Sequence, residues 1–271
     1  MRDKIQYYLR IVITTGMLAY GVVAMTSIEW YWIIAAVLYT NILNDIFCHR
    51  ICSHGMFKIN TESKLYKILT WLASADMGYG PVKWITISHN LHHIYSDNGP
   101  EDVMNWRYHW YSTTIVSPIP RFTDVKPADY QDYVKKQIRK HTEIMSDPWT
   151  NFCAKYQGEI SIVTLLTLFL ISPTLFSVVC IGRVILSVMT GLAGFIGHIK
   201  HFPLSYRNFD TKDTTSNNII AYYCFFGLFA GMLQNNHHGQ PRSVRPNPNW
   251  WEIDTSLPFV LLLKRFIEKN D

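Results

Sequence analysis

The chain has 271 residues, 48% of them hydrophobic and only 17% charged, against roughly 25% charged in an ordinary soluble domain. The net charge of +5 (25 Lys and Arg against 20 Asp and Glu) forms no basic stripe, so a nucleic-acid partner is not expected. Five cysteines (48, 52, 153, 180 and 224) include no C-x-x-C and read as reduced filler, neither a disulfide framework nor an iron–sulfur site.

In chain order, YYLRIVITTGMLAYGVVAMTS (7–27) and WYWIIAAVLYTNILNDIF (30–47) are near-continuous apolar runs. ISIVTLLTLFLISPTLFSVVCIGRVILSVMTGLAGFI (160–196) is long enough for two more, broken near Ser172-Pro173. A bilayer span needs about 20 such residues. The expected fold is therefore all-α and integral to a membrane, with four transmembrane helices in two hairpins: about 7–27, 30–47, 160–174 and 175–196. No small-residue cleavage site follows the first run, which reads as an anchor. Arg10 is expected to snorkel to the interface; Arg183 sits deeper, with no partner that the sequence names.

Residues 48–158 and 197–271 are expected to form a helical cap. Within it, 63–87 is moderately apolar and expected along the membrane face. The charged segment 121–147 has helical period and reads as solvated. The tail WWEIDTSLPFVLLLKRFIEKND reads as an amphipathic helix whose Trp250 and Trp251 suit an interface. No repeat, low-complexity tract or linker divides the chain, so residues 1–271 are expected as one domain. The turns SIEW and ISPTLFS carry no Lys or Arg, whereas Arg2, Lys4, the middle segment and the region after 199 do. The positive-inside rule then places both termini and the cap in the cytoplasm.

Nine of the eleven histidines fall into four groups: His49 and His54 in HRICSH; His89, His92 and His93 in HNLHH; His198 and His201 in HIKH; His237 and His238 in QNNHHG. His109 and His141 stand apart and read as surface residues. On a helix, residues i, i+3 and i+4 share a face, so His89, His92 and His93 converge, as do His198 and His201, and Gln234 with His237 and His238. His49 and His54, five apart, do not, and are expected to reach different metals or to span a helix break. Gln234, Asn235 and Asn236 stand beside the pair as weak ligands or as partners of ligands. One ion takes about four ligands, so nine histidines imply two ions. E-x-x-H and H-E-x-x-H are both absent, which argues against the soluble carboxylate di-iron bundles and the common zinc hydrolases. Imidazole suits iron, zinc, copper and nickel alike. An all-imidazole dinuclear site at a membrane surface suits oxygen chemistry on an apolar substrate.

These residues resemble the membrane fatty-acid desaturases of the acyl-CoA or acyl-lipid Δ9 type, close to their bacterial branch. HRICSHGMFK, GPVKWITISHNLHHIYSD and QNNHHGQP stand where that family carries H-x4-H, H-x2-H-H and a late H-x2-H-H, and YRNFDTKDTTSNN (206–218) and WWEID (250–254) resemble its flanking text. Three positions depart from the pattern. Gln234 replaces the first histidine of the late box, a replacement that front-end relatives tolerate. The family's Asn-x3-His in the fourth span has glycine in the asparagine position, Gly194 before His198 or Gly197 before His201. Asn90 replaces an arginine. A second histidine in GHIKH is expected to make up for the lost ligand.

The resemblance implies two non-haem irons on the nine histidines, O2 as co-substrate, and a cis double bond, at Δ9, in a saturated acyl chain carried on CoA, lipid or acyl-carrier protein. No electron-transfer module is visible in the sequence, so an external ferredoxin or cytochrome b5-like donor is expected. Trp84 and Thr190 are expected to line the acyl tunnel. Hydroxylation on the same scaffold shares the first hydrogen removal. Metal transport is the alternative of another class, against which the histidines at span ends argue.

Overall fold

The computed structural model describes residues 2–99, 102, 104–105, 132, 135–136, 139–224 and 233–269. Most of the expected solvated helix at 121–147, and His109, lie outside the described residues.

The long apolar runs form the longest helices: α1 (Arg2–Met25), α2 (Trp30–Thr40), α7 (Gln157–Ile171) and α8 (Pro173–Gly197). Between α2 and α7 come α3 (Lys64–Ala75), α4 (Val82–Tyr95), α5 (Thr142–Ser146) and α6 (Pro148–Lys155). After α8 follow the two-residue strands β1 (Ser205–Tyr206) and β2 (Asn217–Asn218), paired antiparallel, and then α9 (Ile219–Cys224), α10 (Gln234–Gly239) and α11 (Leu257–Ile267). The described residues are thus helical, with one two-residue strand pair.

Among the described residues, three helical stretches are long and apolar enough to cross a bilayer: Tyr8–Met25, Trp30–Ser53 and Pro173–Gly197. The third apolar block does break at Ser172, where Pro173 cannot continue the preceding helix and the Ser172 hydroxyl caps the next by accepting from Leu175 N–H. Its first half departs from expectation. α7 has 15 residues, about 22 Å of helix, short of a hydrocarbon core of about 30 Å. It reaches a span's length only together with α6, from which it is bent by 80°. Exposed Val12, Trp30, Leu170 and Ile171 give the long helices an apolar outer surface suited to lipid.

Small residues set the helix spacing. A Cβ on Gly21 would lie 2.5 Å from the Cys180 carbonyl oxygen, and one on Gly182 2.6 Å from Thr40 Oγ1. α8 therefore lies directly against both α1 and α2, the close approach that small residues permit in membranes.

The second span does not stay α-helical. From Asn41 to Ser53 it is a π-helix, and this stretch carries the main core: Leu43, Ile46, Phe47 and Ile51 pack against Tyr66 and Leu69 of α3 and Val260 and Leu263 of α11. Arg50 clamps the tail with two bonds to the Asp254 carboxylate, 2.9 and 3.2 Å. Segment 63–87 thus contributes to the core on one side of α3, while Ile68 remains exposed.

Arg10 does not snorkel. It is 1% exposed and donates to the carbonyls of Gly78 (2.7 Å) and Gly80 (2.8 Å) and to Gln157 Oε1 (3.1 Å). The reason is the loop between α3 and α4, which turns through Met77 at φ 55, a region rarely used by non-glycine residues, and leaves inward carbonyls that need donors. Asn44 holds the same loop from the π-helix: its amide donates to Asp76 (2.8 Å) and its oxygen accepts from Tyr79 N–H (2.7 Å). Arg10→Leu should therefore destabilise the protein by on the order of 3 kcal/mol, because several buried acceptors lose a charged donor at once. A thermal midpoint in detergent equal to that of the parent would contradict this role.

Candidate metal centre

Eight histidines from four parts of the chain meet. Their ligand atoms form three overlapping groups: His49, His54, His89 and His237; His92, His198 and His238; and His93, His237 and His238. Within each group the ring nitrogens lie within 4.8 Å of one another. His93, His237 and His238 join the other two groups.

The π-helix explains the pair that the α-helical rule separates. Its hydrogen bonds run i to i+5, so residues five apart return to one side. His49 and His54 accordingly face each other with ring centroids 5.1 Å apart and belong to one group. His89, His92 and His93 converge from α4 as their spacing requires. His198 caps the C-terminal end of α8 and joins His92 and His238, with Gly194 four residues before it. His201 lies in the following turn, exposed, outside these groups. The expected compensation by a ninth imidazole therefore does not take place in this arrangement.

The nitrogen separations fit a metal. Nε2 of His49 lies 3.0 Å from that of His237, and Nε2 of His89 lies 3.1, 3.3 and 3.1 Å from those of His54, His237 and His93. One imidazole carries at most one N–H on Nε2, so hydrogen bonds cannot satisfy three such neighbours at once. Imidazoles bound about 2.1 Å from one ion would stand roughly 3.0–3.4 Å apart. Nε2 of His238 is buried without a hydrogen-bond partner, as a lone pair reserved for a cation would be.

Carboxylates behind the rings fix which nitrogen points inward. Asp45 holds Nδ1 of His49 at 2.9 Å, Asp102 that of His92 at 2.8 Å, Asp97 that of His198 at 3.0 Å and Asp213 that of His238 at 2.8 Å. Such partners set the tautomer and raise ligand basicity. None of the four was singled out from sequence. Asp45, one α-turn before His49, and the acidic run SDNGPED after the second histidine group were the signals available.

The amides of QNNHHG divide in role. Asn235 faces away from the histidines: its oxygen accepts from the N–H groups of Asn208 (2.7 Å) and Phe209 (2.8 Å). Asn236 Oδ1 accepts from Asn208 and Asn217, each at 2.8 Å. Both anchor the short helix α10. Gln234 instead lines the cavity beside the histidines, its Oε1 buried and without a partner. Gly197 makes room for it, since a Cβ there would lie 2.2 Å from Gln234 Cγ.

That cavity, about 80 Å³, reaches from His49, His89, His92 and His198 to Tyr79, Thr190 and Arg183. Thr190 lines it as expected and is 3.2 Å from the Tyr79 hydroxyl. Trp84 does not. It packs beside Ile87, Leu91 and Met145, and Ile85, 100° further round the helix, takes the lining position. Arg183 has partners after all: it donates to Ser187 Oγ at 3.0 Å and feels the charge of Asp76. His141 is no surface residue either. It is 6% exposed, beside Gly55, where a Cβ would lie 3.3 Å from its ring.

Burial, reinforced by neighbouring imidazoles, holds His54, His89, His93 and His237 well below the usual histidine range. Burial also pushes His238 down to about 4, against the pull of Asp213. Burial works the same way on His92, but Asp102 overcomes it and raises His92. Neutral imidazole is the form that binds a metal.

Two expectations follow. A depressed histidine takes up fewer protons folded than unfolded, so it costs stability as pH falls below its unfolded value of about 6.5. Metal-free protein should therefore hold a flat thermal midpoint above about pH 7 and lose stability steadily toward pH 4. A midpoint that rises on acidification would contradict the neutral cluster. Asp102→Asn and Asp213→Asn should each weaken metal binding by about 10- to 100-fold, read as the chelator concentration that strips half the bound metal; unchanged retention would mean the carboxylates do not orient ligands.

The fatty acid desaturase family model matches residues 27–252, a stretch containing all four histidine groups. The chain is 25% identical over 218 residues to an sn-1 stearoyl-lipid 9-desaturase of Anabaena variabilis, covering 80% of this chain and 73% of that protein. It is 26% identical over 231 residues to acyl-CoA desaturase 1 of Saccharomyces cerevisiae, covering 79% of this chain but 40% of the yeast protein. A second sn-1 stearoyl-lipid 9-desaturase, from Synechocystis, is 25% identical over 226 residues, 79% of this chain and 63% of its own length. The histidine architecture and a match across most of the sequence agree: the chain belongs to the fatty acid desaturase family of membrane oxidoreductases.

Proposed function

We propose that this protein uses O2 to introduce a cis double bond, at Δ9, into a saturated acyl chain carried on CoA or lipid. The observation that carries the reading is the joining of two imidazole clusters to one cavity that runs between apolar side chains. The names of its relatives, two stearoyl-lipid 9-desaturases and an acyl-CoA desaturase, support the substrate class and the bond position.

Two irons suit the donor set. His49, His54, His89 and His237 would hold one and His92, His198 and His238 the other, with His93 near both groups and Gln234 lining the cavity beside them. When bound, such irons supply O2 activation and the oxidising power to remove hydrogen from unactivated methylenes, which no side-chain base can do. The protein's own part is placement. Asp45, Asp97, Asp102 and Asp213 keep Nε2 of their histidines aimed inward. Leu186, Met189 and Ile85 give the chain an apolar wall, each buried methylene contributing about 0.8 kcal/mol. Burial of the same surface excludes water from the reacting carbons.

The excess of Lys and Arg in the segments between and after the hairpins supports four spans with both termini and the centre in the cytoplasm, in one domain. There an external donor, a ferredoxin or a cytochrome b5-like protein, would deliver two electrons, docked by the basic cap.

Expression in a host that lacks unsaturated fatty acids should yield a cis-monounsaturated product unsaturated at the ninth carbon, and His237→Ala should abolish it. A saturated profile with iron bound and a donor co-expressed would refute the reading. Protease-protected tags at both termini and near Lys135, with the Glu29 turn cleavable from outside, would agree with the orientation.

A further inference from the structure

One face of α8 runs the length of the cavity. Arg183, Leu186, Thr190, Ala193 and Gly194 all line it, and the same helix ends at His198. At 1.5 Å per residue, the stretch from Arg183 to His198 is about 22 Å of helix. The two ends differ sharply in chemistry. At one stand the imidazoles; at the other stands Arg183, the one charged residue in the 25-residue sequence of α8, itself 4% exposed.

On the desaturase reading a polar carrier stays at the membrane face, at the histidine end of the cavity. The methyl end of a bound chain therefore points inward along α8, past Leu186 and the Tyr79–Thr190 hydrogen bond, and meets a guanidinium. That guanidinium is hard to push aside. It donates to Ser187 Oγ at 3.0 Å and lies in the field of Asp76, which is itself fixed by Asn44 and by the Gly78 N–H at 2.7 Å. Stripping a buried charge of its hydrogen-bond partner is far more costly than burying one more methylene is favourable.

We propose that Arg183 is the floor of the acyl cavity and sets the longest saturated chain that the protein accepts. The inference rests on the desaturase reading and adds a specificity-determining residue to it. Arg183→Met replaces the cation with a flexible apolar side chain, so the floor drops and longer chains enter. Leu186→Phe, nearer the metal end, shortens the cavity without touching a charge.

The experiment feeds saturated acids from myristic to arachidic to an unsaturated-fatty-acid auxotroph expressing each protein and measures the chain lengths of the product. In parallel, binding of the same radiolabelled chains to purified protein is measured without turnover. Arg183→Met should shift both preferences to longer chains, roughly fourfold for each methylene that gains a place, the factor matching about 0.8 kcal/mol. Leu186→Phe should shift them to shorter chains, and it decides alone if Arg183→Met does not accumulate. Parent protein that makes product while the variants keep its length preference overturns this inference and leaves the functional reading intact. Parent protein that makes no product overturns the functional reading first.

Discussion

Eight imidazoles gathered in three overlapping groups, ring nitrogens within 4.8 Å of one another in each, would repel if they were protonated and oppose their lone pairs if nothing lay between them. Much of the surrounding structure answers that constraint. Burial keeps most of the rings neutral. Four aspartates, drawn from the π-helix, the loop after α4 and the loop before β2, hold one nitrogen of four rings so that the other faces the centre. The asparagine network around α10 fixes the backbone that presents His237 and His238. The helices supply walls, but the polar loops supply aim, and this is why the residues after the second and third histidine groups are built so densely from Asp, Asn and Thr.

Much of this was legible in the sequence wherever one periodicity governed a whole element. Apolar runs marked α1, α2 and α8, Ser172-Pro173 marked the break before α8, and i, i+3, i+4 spacing marked α4 as a ligand helix. Failures came where local geometry departs from that period. The α-helical rule separated His49 from His54 because nothing in NILNDIFCHRICS announces a π-helix. Trp84 lies a single residue from the lining position, which on a helix is more than a quarter of the circumference. His198 and His201 share spacing, yet α8 ends at His198 and the chain turns away before the second ring can return. Arg10 and Arg183 were legible as anomalies, but their partners lie far off in sequence and only the fold brings them near.

The exchange at residue 234 is a matter of shape as much as of ligand chemistry. Glutamine beside His237 needs space that a Cβ at residue 197 would occupy, so the absent side chain at Gly197 and the long amide at Gln234 form one solution. Gly194, lining the cavity before His198, leaves the same wall open.

Arg10 carries a consequence for biogenesis. It lies in α1, and its acceptors stand 68, 70 and 147 residues further along the chain. An arginine costs a segment about 2.5–3.5 kcal/mol during insertion at the centre of a span and less near its edge. The first helix therefore enters the bilayer with its least favourable residue uncompensated until the α3–α4 loop and the start of α7 have been synthesised. Its final depth is settled late, by the same docking that places Tyr79 in the cavity, so that the settling of α1 and the completion of the cavity are one event in the protein's assembly.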